Sequence, residues 1–166
     1  MTDHFGIPGG TRRAVRALGG GAAGAIVLTG LHEIARRVVP HAPRMDVIGQ
    51  RALTRVMAAV GRRPPRGKRL FRQTLAGELF SNALYYSLVG AGSRSAVMRN
   101  GMLLGFGAGL GAVLLPPRFG LGHSPNSKAP LTQLLTLAWY AAGGLAAAAA
   151  IRGYDYRPGS RGPEAD

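Results

Sequence analysis

Four apolar stretches rich in Gly and Ala recur along the chain, at 17–35, 74–92, 101–117 and 131–151. Each is about 17–21 residues long, and about 20 residues of helix cross the ~30 Å hydrocarbon core of a bilayer. The pattern therefore predicts an all-α integral membrane protein, a four-helix bundle made of two helical hairpins.

The connection between the first and second stretches carries a different pattern. Asp46 can cap a helix at about 46–60 in which apolar residues recur with helical period, with Arg51 and Arg55 on the opposite side. Such a helix lies in the membrane interface with its arginines toward phosphates, or packs against the end of the bundle. The basic residues that follow it favour the interface. The apolar positions are Val47, Ile48, Ala52, Leu53, Val56, Met57 and Val60.

The remaining segments set the domain organisation. Residues 1–16 are expected to form a flexible tail, 17–151 a single transmembrane domain, and 152–166, rich in Gly, Pro and Arg, a disordered tail. Arg12 and Arg13 precede the first apolar stretch as in a signal peptide, but no small-residue cleavage site follows. The first stretch is therefore interpreted as an uncleaved membrane helix.

The charge balance is strongly basic, with a formal net charge of +14, yet 46% of residues are hydrophobic, which excludes a disordered basic tail. Eleven of the 21 basic residues lie between Arg36 and Arg72. Such a segment binds nucleic acid or anionic lipid, and the four long apolar stretches favour lipid over nucleic acid. The predicted headgroup contacts are Arg51, Arg55, Arg62, Arg63, Arg66, Lys68 and Arg69.

The same charges predict an orientation. In a four-span arrangement, 13 basic residues lie on the side of the first and third connections and eight on the other. The positive-inside rule then places the long connection in the cytoplasm and both termini outside.

Small residues recur at helical spacing in two of the stretches. Gly20 and Gly24 share one face of the first, and Gly101, Gly105 and Gly109 share one face of the third. Small residues at this spacing allow close contact between membrane helices, so both faces are predicted to pack against neighbouring helices.

Few ionisable residues fall at membrane depth, and these would gather in one leaflet. Glu33 ends the first helix and Glu78 begins the second, so an up-and-down bundle brings them to the same side. Intramembrane charges normally face inward with a partner. The cluster is either a polar pocket that moves a proton or binds a cation or headgroup, or a structural clamp in which Arg36, Arg37 or Arg72 pairs with the acids. Its predicted members are His32, Glu33, Glu78, Asn82, Gln133, Thr136 and Tyr140.

Motifs for catalysis, metals or cofactors are not found. The segment from Gly61 to Lys68 has two prolines, and Arg follows its Lys where a phosphate-binding loop needs Ser or Thr. His32-Glu33 begins like a zinc-binding helix, but Arg36 stands where the second His would be. The chain is therefore expected to hold no metal or cofactor and to carry no catalytic residue that its sequence identifies.

Two segments carry a resemblance to known proteins. The text that begins T-G-L-H-E at Thr29 and runs to Leu53, and G-E-L-F-S-N-A-L-Y-Y-S at 77–87, resemble small bacterial inner-membrane proteins of unknown function. The resemblance implies a multi-pass four-helix protein of a bacterial inner membrane and no particular activity.

Together these features predict a small accessory or structural membrane protein rather than an enzyme. Its partners would be anionic lipid headgroups, a larger membrane complex or further copies of itself. Two alternatives stay open: a small transporter or channel-like protein that uses the polar pocket, and an intramembrane enzyme that acts on a lipid headgroup.

Overall fold

A computed structural model describes residues 9–40, 42–125 and 127–155. The described chain contains α-helices and two short 3-10 turns, Leu88–Gly90 and Arg94–Ala96, and no strand. The prediction of an all-α protein is therefore confirmed. The helices are α1 (Gly9–Val38), α2 (Met45–Ala59), α3 (Gly67–Ser87), α4 (Val97–Arg118) and α5 (Pro130–Asp155).

Among the described residues, three helices are long and apolar enough to span a membrane: Gly9–Val38, Arg94–Arg118 and Pro130–Tyr154. The predicted second span at 74–92 is not among them. The stretch itself carries the polar residues Glu78, Ser81 and Asn82, and the helix also begins earlier, at Gly67, with basic residues in its first two turns. Both features lower the apolar character of α3. The basic residues are Lys68, Arg69 and Arg72. α3 ends at Ser87 and passes directly into the 3-10 turn Leu88–Gly90, and Gly92, with a φ of +89°, follows in the connection to α4.

Both ends of the bundle differ from the predicted tails. α1 begins at Gly9, so residues 9–16 are helical rather than flexible. The start of α1 contacts the connection between α3 and α4, where the carbonyl of Gly92 accepts a hydrogen bond from Arg13 at 3.4 Å. α5 continues to Asp155, and residues 1–8 and 156–166 lie outside the described chain.

α5 lies between α1 and α4 and contacts both through adjacent glycines. A Cβ on Gly143 would lie 2.8 Å from the Tyr86 hydroxyl and 3.1 Å from the Gly24 carbonyl oxygen, on the α1 side. A Cβ on Gly144 would collide with the Gly101 carbonyl oxygen of α4. The two helix crossings therefore bring backbone against backbone, as small residues permit in membrane helices.

The predicted glycine faces contact α5. A Cβ on Gly20 would meet Ile151, and one on Gly24 would meet the Gly143 carbonyl oxygen. On α4, Gly101, Gly105 and Gly109 lie against successive turns of α5. The buried cluster beside these crossings comprises Leu28, Tyr86, Val89, Val97, Ala147, Ala148 and Ile151.

Large apolar side chains cover the outer faces of the bundle. Ile26 of α1, Phe80 of α3, Leu103 of α4 and Leu134 of α5 are each more than half exposed. In water this surface would be a liability, whereas lipid solvates it without cost. The distribution therefore agrees with a membrane protein.

α2 packs across one end of the bundle, against α3. Ile48 is buried, and Gly49 lies against the side chains of Thr74 and Glu78. The later part of its apolar stripe is not covered, since Val56 is 61% exposed and Val60 is 66% exposed. Asp46 was predicted to cap α2, but it lies in the first turn of the helix, and Arg44 occupies the N-cap position.

Candidate functional site

A polar pocket lies where the end of α1 meets the start of α2 and the first half of α3. Its cavity is about 10 Å³, close to the smallest space that holds one water molecule. The pocket therefore has room for a proton or a single water rather than for a substrate. The lining residues are Thr29, His32, Glu33, Arg36, Pro43, Met45, Asp46, Leu75 and Glu78.

Glu33 is paired with arginines of its own helix. Arg36 donates from Nε and Nη2 to the two carboxylate oxygens of Glu33, at 2.8 and 2.6 Å, and Arg37 Nη2 lies 3.7 Å away. The Arg36 guanidinium also lies 5.2 Å from the ring centre of Phe71 on α3, in cation–π geometry. For Glu33, the structure therefore has the arginine pairing of a structural clamp.

Glu78 differs from Glu33. Its carboxylate faces Gly49 of α2, where a Cβ would collide with it, and the side chain is half-buried. Within the described chain it makes neither a hydrogen bond nor an ion pair, and Arg72 is exposed. The predicted pairing of both acids with arginine therefore applies to Glu33 and not to Glu78.

His32 contributes a second polar group without a partner. Its ring makes edge contacts with Trp139 at 5.4 Å and Tyr140 at 5.6 Å between centroids. Its Nε2 atom is buried and has no hydrogen-bond partner in the described structure, and neither does Oγ1 of Thr74. A buried polar atom left unpaired costs about 1–3 kcal/mol, so the pocket has a local demand for a proton donor, an acceptor or a water.

Asp46 is a pocket residue that the sequence analysis placed only at a helix start. Arg44 donates to its two carboxylate oxygens at 2.8 and 2.9 Å. These hydrogen bonds hold the pKa of Asp46 below its ordinary value of 3.8, although partial burial opposes the shift. The sequence feature that indicates this role is the rarity of acidic residues, since Asp46 is one of only three acids between His4 and Tyr154.

The other predicted members of the cluster lie elsewhere. Gln133 and Thr136 line a second cavity of about 20 Å³, which Pro43 and Met45 separate from the polar pocket. Gln133 donates to the Ser127 carbonyl at 3.0 Å, and Thr136 to the Thr132 carbonyl at 2.8 Å. Gln133 therefore holds the α4–α5 connection, whereas the hydrogen bond of Thr136 lies within α5.

Tyr140 and Asn82 complete the predicted set. The ring of Tyr140 contacts His32, and its carbonyl accepts a hydrogen bond of 2.8 Å from the Tyr86 hydroxyl. Asn82 lies one turn beyond Glu78 on α3 and lines neither cavity. The predicted cluster of seven is thus a pocket around His32, Glu33 and Glu78, with Tyr140 at its edge.

The two arginines of α2 hold the connection between α4 and α5. Arg51 Nη1 donates to the carbonyls of Leu121 and His123, both at 2.9 Å, and Arg55 Nη1 donates to that of Phe119 at 2.9 Å. Both guanidiniums keep further donors, and both residues are exposed. Their predicted role in contacting phosphate stays a prediction, beside this structural one.

The rest of the predicted headgroup set forms an exposed basic surface at the same end of the bundle. It runs from the end of α2 into the first turns of α3, and none of its members forms a salt bridge within the described residues. We call it the basic end: Arg62, Arg63, Arg66, Lys68 and Arg69.

Comparison with known proteins does not assign this chain to a family. No family model, curated protein sequence or solved structure matches this chain.

Proposed function

We propose that this chain is a small accessory protein of the bacterial inner membrane that engages anionic lipid headgroups through its basic end. The observation that carries the proposal is the juxtaposition of unpaired basic side chains with three helices long enough to span a membrane. A basic residue near a membrane surface contributes about 1 kcal/mol of attraction to anionic lipid.

The position of the basic end favours this function. The start of α3 lies beside the end of α1, where Arg36 stacks on Phe71, and α1 is a candidate span. The basic end therefore falls at the level of the headgroups. The exposed Val56 and Val60, at the C-terminal end of α2, lie beside it and can enter the interface while the arginines stay with phosphates. In this arrangement α3 packs along α1 as a fourth helix of the bundle, and the basic end faces the cytoplasm.

The decisive experiment compares the lipids that copurify with the protein. We expect the wild-type protein, extracted in mild detergent from a membrane of mixed lipids, to be enriched in anionic lipid relative to the bulk membrane. Replacing Arg62, Arg63 and Arg69 with Gln should reduce this enrichment because it removes three charges from the basic end.

The matched control removes three charges from the opposite end. Arg12, Arg99 and Arg152 are all exposed, so their replacement with Gln changes the net charge equally. It should leave the enrichment unchanged. Equal loss in both triple variants would contradict the proposal, since the effect would then follow net charge rather than the basic end.

A second candidate function is proton transfer by a small transporter or channel-like protein. It is favoured by the lone carboxylate of Glu78 beside the unpaired Nε2 of His32, because intramembrane ionisable groups of this kind mark proton relays. A lipid-headgroup enzyme is disfavoured, since a cavity of about 10 Å³ does not admit a headgroup.

Proton transfer is tested in liposomes that contain a pH-sensitive dye. We expect a pH gradient to decay faster with the wild-type protein than with Glu78→Gln, which keeps the shape of the side chain but cannot release a proton. Decay at the rate of empty liposomes for the wild-type protein would exclude this function. Thr29→Val, on the same pocket wall, is the control for repacking.

A further inference from the structure

A groove beside the basic end lies between α2 and the connection that links α4 to α5. It is open to solvent, has a volume of about 760 Å³, and is bounded on the α3 side by Leu70. We call it the arginine groove. Its other walls are Val47, Gln50, Arg51, Thr54, Arg55 and the loop from Gly120 to His123.

The arginine groove holds two positive charges close together without an acid. Arg51 and Arg55 stand one helical turn apart on the same side of α2, where like charges repel. In the described chain, the salt-bridged acids are Glu33 and Asp46, and both pair with other arginines. The pair is therefore left with a charge that an anion between the two side chains would neutralise.

The loop fixes these guanidiniums in place. Gly120 and Gly122 have φ values of +68° and +72°, a conformation that side-chain-bearing residues rarely adopt, and the carbonyls around them accept hydrogen bonds from Nη1 of each arginine. Nε and Nη2 of each arginine remain as donors. Donors held rigidly before a ligand arrives lose less entropy on binding, and the planar guanidinium matches two oxygens of a phosphate.

The position of the groove relative to the bilayer indicates whether the phosphate belongs to a lipid or to a soluble molecule. The candidate span of α4 ends at Arg118, and the loop that pins the arginines follows immediately. Phosphates of a bilayer lie at the ends of such spans. The apolar side chains of Val47, Leu70 and Leu121 offer contact to the carbon atoms next to a lipid phosphate.

We propose that the arginine groove is a binding site for the phosphate group of an anionic phospholipid, held between Arg51 and Arg55. This rests on the proposed function and deepens it, since it converts a diffuse attraction to the basic end into a defined site for one lipid.

The experiment measures equilibrium binding of short-chain phosphatidylglycerol to the purified full-length protein in neutral detergent. We expect Arg51→Gln with Arg55→Gln to weaken binding about tenfold or more, because hydrogen bonds between charged groups are lost. Arg99→Gln with Arg152→Gln, which removes the same charge at the other end of the bundle, should change binding less than about twofold.

A second variant avoids any effect on the loop. Gln50→Glu keeps the size of the side chain and leaves Arg51 and Arg55 in the chain, but it places a carboxylate in the groove. It should weaken binding about threefold or more by repulsion and by competition for the guanidiniums. If Gln50→Glu and the double arginine variant both bind the lipid as the wild type does, the proposal is overturned.

Soluble probes distinguish the source of the phosphate. Glycerol 3-phosphate should bind far more weakly than short-chain phosphatidylglycerol. Equally tight binding of glycerol 3-phosphate, lost in the same variants, would overturn the assignment to lipid and indicate a site for soluble phosphate esters.

The failures are also distinguishable. Anionic enrichment that depends on the basic end but not on Arg51, Arg55 or Gln50 would refute the groove and leave the proposed function standing. A wild-type protein with no preference for anionic lipid would refute both.

Discussion

Where α4 crosses α5, the helices meet through glycine backbones, whereas at the far end of the bundle α1, α2 and α3 meet around charged side chains. In the first region, Gly101 and Gly144 leave no space for a side chain. In the second, Glu33 and Asp46 each require an arginine, and Glu78 has none within the described chain. The first region is a rigid half that sets the helix positions, and the second is a charged half whose packing responds to charge.

The largest expected effect comes from a substitution that separates α4 from α5 in the rigid half. Gly144→Ala places a methyl group against the carbonyl oxygen of Gly101, which belongs to the backbone and cannot rotate away. We expect a loss of about 1–3 kcal/mol in the free energy of unfolding, typical of overpacking. Thermal unfolding of the protein in detergent measures it.

Gly19→Ala is the matched control. A Cβ on Gly19 meets nothing within 4 Å, so the same substitution should leave stability unchanged or raise it by about 0.5–1 kcal/mol, because alanine restricts the unfolded chain. Equal melting temperatures for the two variants would show that the α4–α5 crossing tolerates separation.

The next effect probes the charged half and depends on pH. Asp46→Asn removes the ion pair with Arg44 and should cost about 0.5–1 kcal/mol at pH 7, since the arginine is partly exposed. The pKa of Asp46 is lower in the folded protein than its ordinary 3.8, so the pair stabilises the fold above that value. The contribution is lost as the pH falls through the folded pKa.

Melting temperatures at pH 7, 5 and 3 test this sign. The difference between the wild type and Asp46→Asn should be equal at pH 7 and 5 and smaller at pH 3. Arg44→Gln should cost about as much, and the double variant no more than either, because all three remove one interaction. A difference that grew toward pH 3 would be incompatible with this pair.

The smallest effect separates the two glutamates. Glu33→Gln should lower the free energy of unfolding by about 0.5 kcal/mol, because it breaks a partly exposed pair within one helix. Glu78→Gln should leave stability unchanged or raise it, since it removes a half-buried carboxylate that has no partner among the described residues. If Glu78→Gln proves the more damaging of the two, Glu78 has a partner and the polar pocket is a clamp throughout.

The sequence carries the fold class and the glycine faces because both depend on local spacing. Gly101, Gly105 and Gly109 share a face of any helix, and small residues on one face indicate close packing. The start of α3 was harder to predict, since Lys68, Arg69 and Arg72 interrupt apolar periodicity without interrupting a helix. Apolar length therefore located the α3 region but not its first turns.

The polar pocket could be predicted only in part, because its contents depend on α2. Helix spacing brings Glu33 and Glu78 to the same end, but whether Glu78 finds an arginine depends on how Gly49 and Asp46 are placed beside it. That placement follows from contacts of Arg44, Arg51 and Arg55 with a loop more than sixty residues away. Periodicity holds no information about such contacts.

The adjacent Gly143 and Gly144 have a consequence for how the molecule is built. They let α5 serve as the shared neighbour of α1 and α4, yet α5 is synthesised after both. Until it emerges, the glycine faces of α1 and α4 lack their main packing surface, and the close helix contacts that the described chain can form are mainly those of α3 with α1 and α2. Assembly of the bundle therefore waits for its last described helix, which inserts between two earlier ones and unites them.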